Sequence, residues 1–395
     1  MEQQHHREKN KETLSWLHIW KYSSALPIIQ WWMGVGISTP ELAWEVARNG
    51  GIGTLSSVCL CETSPYKHIY IDMIKKAKSE NTWAISSEQA SQIFIDANCV
   101  AIKQEIKKAK QIADGKWPIF INVMRAVNGY NEQIIASCEA WVDWIVCGAG
   151  LPLHLPEITK GYPDVALIPI VSNLRAAKLI TENRKKKYRK LPDAIIVEDP
   201  STAGGHLWIG KLEDLDKKNS ESDFILENSI PQIQTYLKEQ WYTIPLIAAG
   251  GIINNEDVMK TLKLGADGVQ IGTRFLASKE SGAHELFKEA IVDSTENTIK
   301  EYMSNAGLPA RALSVSEVFV AMEWVVAEKK DCLKNCLVRC WFRDANPALA
   351  QMCILKELVK STKRWNGKWI LFSGTAAARI QSILTVEEIM KILTK

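Results

Sequence analysis

Short runs rich in valine and isoleucine recur along the chain without the strict apolar–polar alternation of a half-exposed strand. They are LPIIQ (26–30), GIGTLSS (51–57), PIFINVM (118–124), WIVCGAG (144–150), ALIPIVS (166–172), DAIIVE (193–198), IPLIAAGG (244–251) and DGVQIGT (267–273). Runs that are apolar on both faces belong to strands buried in a parallel sheet. Most are followed by a helical pattern opened by a capping residue: STPELAWEVARNG, NGYNEQIIASCEAW, SNLRAAKLITENRKKK and NNEDVMKTLKLG. Eight such units in about 250 residues predict an α/β protein, a (β/α)8 TIM barrel. An open doubly wound sheet is the alternative, but no G-x-G-x-x-G turn follows the first strand. The barrel is expected over 20–290, after a polar tail at 1–19. Residues 62–115 read as a helical insertion able to cover the mouth, and 291–395 as a small C-terminal extension containing cysteines.

Composition changes this picture little. Of 395 residues 24% are charged and 46% hydrophobic, with a net charge of +3, which suits a soluble globular chain. The basic cluster at 183–192 reads as a solvated helix end rather than a nucleic-acid patch. No apolar run is long enough to span a bilayer and the N-terminus has no signal-peptide core, so a cytoplasmic location and no membrane partner are expected. Nine cysteines in that setting point to metal or redox chemistry rather than to disulfides.

In a barrel, function belongs at the C-terminal ends of the strands, with phosphate commonly held after strands seven and eight. There the chain carries Ala249-Gly250-Gly251 and Gly272-Thr273. Glycines let backbone N–H groups approach an anion, and the helix that follows adds its dipole.

The segment IPLIAAGGIINNEDVMKTLKLGADGVQIGTRFLASKES closely resembles the FMN-binding segment of the nitronate monooxygenase (2-nitropropane dioxygenase) family. PIIQ..MGVGISTPELA.EVARNGGIGTLSS, GAGLPLHLPE and AGGHL resemble its other signature segments in the same order, so the resemblance spans about residues 20–290. It extends to flavin-dependent enoyl-acyl-carrier-protein reductases, which share the fold. The resemblance implies FMN as cofactor, with its phosphate on Ala249, Gly250, Gly251, Gly272 and Thr273. It implies a flavin lining of Met33, Asn122, Glu198, Gly205 and Gln270. One departure is VEDP, where Asp199 stands in place of the family's glycine and is expected to alter the loop beside Glu198.

His206, in TAGGHLW, is the one histidine with a chemical context, because two glycines free its backbone to turn over a flavin. A neutral imidazole suits proton transfer with a carbon acid. The resemblance makes His206 the catalytic base.

Beyond the barrel, Cys332, Cys336, Cys340 and Cys353 fall within 22 residues. Four thiols so spaced could ligate an iron–sulfur cluster or zinc, or pack on one helix face. A branch of the family carries a similar tail, with which SNAGLPARAL (304–313) and ILFSGTAAARI (370–380) also agree, and it implies a 4Fe–4S cluster. Cys59, Cys61, Cys99, Cys138 and Cys147 read as packing residues.

Tryptophan occurs 15 times and glycine only 22, where about 7% of the chain would be about 28. Trp31 and Trp32 stand where the family pattern has Gly-Gly, and Trp44, Trp141 and Trp208 also fall at glycine-like positions; Trp20, Trp117, Trp324 and Trp369 look similar. An indole in one close-packed turn costs about 1–3 kcal/mol or more. Most of these tryptophans are therefore expected to be UGA codons of a lineage that decodes UGA as glycine. The alternative is genuine tryptophan in a diverged homologue.

The expected activity is oxidation of alkyl nitronates or similar carbon acids by oxygen through the flavin. The alternatives are an enoyl-acyl-carrier-protein reductase or dehydrogenase/isomerase, and a non-catalytic redox sensor. Expected partners are a small-molecule nitronate or an acyl thioester on acyl carrier protein. No nucleic acid is expected, and a homodimer is left open.

Overall fold

The structure is a computed structural model that describes residues 14, 16–80, 85–207, 209, 212, 223–304, 306–314, 332–344, 353–362 and 370–395. Trp208, Trp324 and Trp369 lie outside the described residues.

Eight parallel strands form one sheet: β3 (Ile28–Gln30), β4 (Thr54–Ser56), β5 (Phe120–Met124), β6 (Trp144–Gly148), β7 (Ala166–Val171), β8 (Ile195–Glu198), β10 (Leu246–Ala249) and β11 (Gly268–Ile271). Each lies inside one of the eight apolar runs, and every strand residue is buried. The order β3-β11-β10-β8-β7-β6-β5-β4 closes on itself where Gln30 N donates to Ile52 O (2.8 Å) and Ile52 N to Ile28 O (2.9 Å). This is the TIM barrel. Closure brings the backbone of Gly53 so near the helix Pro40–Arg48 that a Cβ there would lie 2.1 Å from Ala43 O. Backbone cannot yield as a side-chain tip can, so Gly53→Ala is expected to destabilise the fold by about 1–3 kcal/mol or more, read as a lower urea midpoint.

A hairpin, β1 (Leu17–Ile19) and β2 (Tyr22–Ser24), straddles the expected start of the barrel, and its Leu17 and Ile19 join the core with Ile29, Phe120 and Trp144. The longer helix of the expected insertion, Ser87–Ala113, packs between the helices Pro40–Arg48 and Tyr130–Glu139. It serves as the barrel helix after β4. The segment assigned to the extension also enters the barrel. Its last helix, Val386–Thr394, packs between Pro40–Arg48 and Asn255–Lys263, with Val386, Ile389 and Leu393 in one core with Ile28, Leu42 and Val46. At the basic cluster the helix Leu174–Tyr188 ends as expected. Arg184 departs from the solvated reading: it is fully buried, donating to Leu167 O at 3.2 Å. Among the described residues no helix is long and apolar enough to cross a membrane.

Candidate active site

At the C-terminal ends of the strands lies a cavity of about 180 Å³. Met33, Glu198, Gly205, His206, Ala249, Gly250, Gly251, Gln270, Gly272 and Thr273 all line it. Asn122 does not. It is fully buried in the middle of β5, beside Ser56 of β4. The loop after β3 is pinned by Ser38, whose Oγ accepts from Met33 N and from Gln30 Nε2, both at 2.7 Å. Gly250 and Gly251 adopt positive φ (123° and 71°) and abut Thr202, where a Cβ on Gly250 would lie 2.5 Å from Thr202 Oγ1. The cradle thus uses conformations that only glycine adopts without strain.

Of the buried polar groups without a partner among the described residues, the amide of Gln270 lines the cavity, whereas the amide of Asn122 and the Ser56 hydroxyl do not. Buried polar groups are ordinarily satisfied. Asp199 caps the turn after Glu198: its carboxylate accepts from Ser201 N at 2.7 Å, and its carbonyl accepts from Thr202 and Ala203 N.

His206 sits on the two-residue strand β9 (Gly205–His206), which pairs antiparallel with β13 (Pro309–Leu313); β13 in turn pairs with β12 (Ile299–Met303). Its Nε2 shares a 3.0 Å hydrogen bond with Ser304 Oγ, and the Phe372 ring lies edge-on with centroids 5.2 Å apart. Desolvation pushes the imidazole down to about 4, so it is neutral at pH 7. The ring also lines a second, wider cleft of about 1,250 Å³, walled by Arg125, Asn173, Leu207, Leu308 and Trp341. His206 therefore stands where the two spaces meet.

Sequence reasoning missed Ser304, Phe372 and Gly374, which come from the C-terminal segment. Gly374 N donates to Thr273 Oγ1 at 3.1 Å and Thr375 N to Thr202 O at 3.0 Å. Gly204 lies against this crossing, where a Cβ would fall 2.4 Å from Gly374 N. The signal was present in SNAGLPARAL and ILFSGTAAARI, but only as resemblance.

The expected four-cysteine ligand set is not assembled: among the described residues no three His, Cys, Asp or Glu side chains are placed to hold a metal. Residues 332–340 form turns and a bridge rather than a helix, so the four-residue spacing does not align the thiols. Cys336 is buried at the cavity wall and hydrogen-bonds Cys59, which raises its pKa along with burial. Cys340 faces the wider cleft, and burial also pushes its thiol and that of Cys353 up. Cys59, expected as packing, is buried in the core and also forms part of the cavity wall.

A family model for nitronate monooxygenase matches residues 18–395. The chain belongs to the nitronate monooxygenase family. It is by that membership a flavin-dependent oxidoreductase. It is 29% identical over 308 residues to a probable nitronate monooxygenase of Bacillus subtilis (strain 168), covering 74% of this chain and 78% of that one. It is 28% identical over 295 residues to one of Staphylococcus aureus (strain Newman), covering 73% and 75%. Among solved structures, nitroalkane oxidase from Streptomyces ansochromogenes superposes with a TM-score of 0.64 at 18% identity, covering 94% of this chain and 95% of that one. FabK from Thermotoga maritima gives 0.62 at 21%, covering 93% and 91%. At these identities both likenesses are of fold. This family member closes its cavity with the same C-terminal stretch, 370–379, that its sequence set outside the barrel.

Proposed function

We propose that this chain is an FMN-dependent oxidoreductase acting on nitroalkane-type carbon acids and on their alkyl nitronate anions, with oxygen as acceptor and His206 as the base that deprotonates the neutral acid. The observation that carries this is the place of His206, half-buried between a glycine-lined cavity and a wide cleft, where desolvation lowers its pKa and keeps it neutral at pH 7. A neutral imidazole within reach of a C–H proton is a competent general base. In the tautomer whose Nε2 donates to Ser304 Oγ, Nδ1 keeps the lone pair that takes the proton. Phe372 limits the ring's rotation and excludes water from that side.

Ala249-Gly250-Gly251 and Gly272-Thr273 fit the phosphate of FMN, with Gln270, Glu198 and Met33 toward its ring. The space at the ring end does not fit as the sequence is written. The stacked indoles of Trp31 and Trp32, centroids 5.9 Å apart, line the cavity, and 180 Å³ is below the range of about 300–1,000 Å³ typical of ligand sites. FMN, when bound, supplies the two-electron acceptor. Orienting the substrate and moving its proton fall to the protein.

A second reading, an acyl-thioester oxidoreductase, is favoured by the size of the cleft beyond His206 and by Arg125 at its rim, which suit a long substrate with an anionic carrier. Anaerobic titration separates the two. Bleaching of the bound flavin by propyl nitronate supports the first reading. Bleaching by an acyl-carrier-protein thioester or NAD(P)H alone supports the second, and bleaching by none of them removes both.

A further inference from the structure

We infer that positions 20, 31, 32, 141 and 241 carry glycine in the working protein, their codons being UGA read as glycine, and that glycine at 31 and 32 opens the cavity to an isoalloxazine ring. At 20, 141 and 241 the first half stands on backbone geometry, and at 31 and 32 on volume. The cofactor half rests on the flavin reading above.

Trp141 and Trp241 adopt φ of +61° and +58°. Each follows a helix, Tyr130–Glu139 and Leu226–Glu239, one residue past the cap. Trp141 N donates to Cys138 O (2.9 Å) and Val142 N to Ser137 O (3.2 Å); Trp241 N donates to Lys238 O (3.1 Å) and Tyr242 N to Leu237 O (2.9 Å). The same double bond closes the helix Pro40–Arg48, where Gly50 (φ +87°) donates to Ala47 O and Gly51 to Val46 O, both at 3.0 Å. This is the motif whose left-handed residue is ordinarily glycine. One chain thus uses glycine and tryptophan interchangeably at one backbone position.

Packing does not explain the choice. Trp141 is 78% exposed and Trp241 92%, so neither indole gains burial in return for the strained backbone. Trp20 (φ +52°) occupies the first central position of the two-residue hairpin turn between Ile19 and Tyr22, another place for glycine. A bulky residue at positive φ is an outlier, yet tryptophan supplies three of the eight non-glycine residues there among the described residues, from 15 of 395 in the chain.

Trp31 and Trp32 show the same misfit by volume. A Cβ on cradle residue Gly272 would lie 3.4 Å from Trp31 Cβ, so Trp31 borders the glycine cradle, and among the described residues the buried Trp32 Nε1 has no hydrogen-bond partner. Removing both indoles enlarges a cavity that, at about 180 Å³, is too small for the ring. Trp44 and Trp117 have no positive φ and carry no part of the argument.

The test is peptide mass spectrometry of protein from its natural source, with codon sequencing. Glycine at 31, 32, 141 and 241 from UGA codons is expected; tryptophan from UGG overturns the inference. In recombinant protein, W141G/W241G is expected to raise Tm by about 2–4 °C; a fall overturns the backbone argument. W31G/W32G is expected to bind FMN at least about tenfold more tightly than the chain with both tryptophans, read by flavin fluorescence. Natural glycine with no gain in FMN binding would overturn the cofactor half and leave the residue identities standing.

Discussion

Replacing His206 by alanine is expected to lower kcat/KM for the carbon acid by about 10²–10⁴-fold, the usual contribution of a positioned base, with flavin content unchanged. The separation follows from geometry. The imidazole bonds Ser304 and faces the cavity wall and cleft, whereas the phosphate cradle comes from different strand ends. The pH profile supplies the sign. Desolvation holds His206 near 4, below the ordinary value of about 6.5, so activity should persist well below pH 6.5 and fall as pH drops through about 4. Stability moves the same way. Between about 6.5 and 4 the unfolded chain binds the proton that the folded one refuses, so the contribution of neutral His206 is complete above 6.5 and is lost as pH falls through that window. A kcat/KM for the neutral carbon acid left unchanged by the alanine substitution would remove the assignment.

The second large effect is structural. Arg311, whose side chain is wholly buried, donates from Nε (3.0 Å) and Nη2 (2.8 Å) to Glu301 Oε1, and from Nη1 to Ala203 O. Register places Arg311 opposite Glu301 on one side and Gly205 on the other. It ties the strand that carries His206 to the C-terminal ribbon. Glu301→Ala leaves a cation in the interior, a change that costs about 3–5 kcal/mol in a fully buried pair and less than that here, where the Glu301 side chain is 39% exposed. Arg311→Met combined with Glu301→Leu is expected to lose much less, because both charges go together. Urea midpoints for the three proteins check this. Equal losses in the single and double variants would show that the ion pair does not govern the effect.

How much was legible in the chain differs from residue to residue. The eight strands were, because a strand buried on both faces must be apolar throughout and the barrel buries every one. The glycines after β10 and β11 were, because backbone that meets a ligand or a neighbouring loop cannot carry a side chain. Ser304 was not: a serine has no signature until folding sets it against His206, 98 residues away. The cysteine tail misled because spacing implies a common face only on a helix, and 332–340 is not one. Asp199 looked disruptive by type, yet it satisfies its own turn.

The sequence by itself determined the barrel, its strand ends, the histidine and the excess of tryptophan, since each is a local pattern of residue type. Only the tertiary structure decided that the last helix, Val386–Thr394, completes the packing around β3, and that residues 370–379 close the cavity. Contacts across such separations depend on chain reversal in space, which no window of sequence contains. It also decided which tryptophans conflict with the fold, because the sign of φ is a property of the backbone after folding. At positions 141 and 241 the folded chain adopts the left-handed turn that glycine takes at position 50.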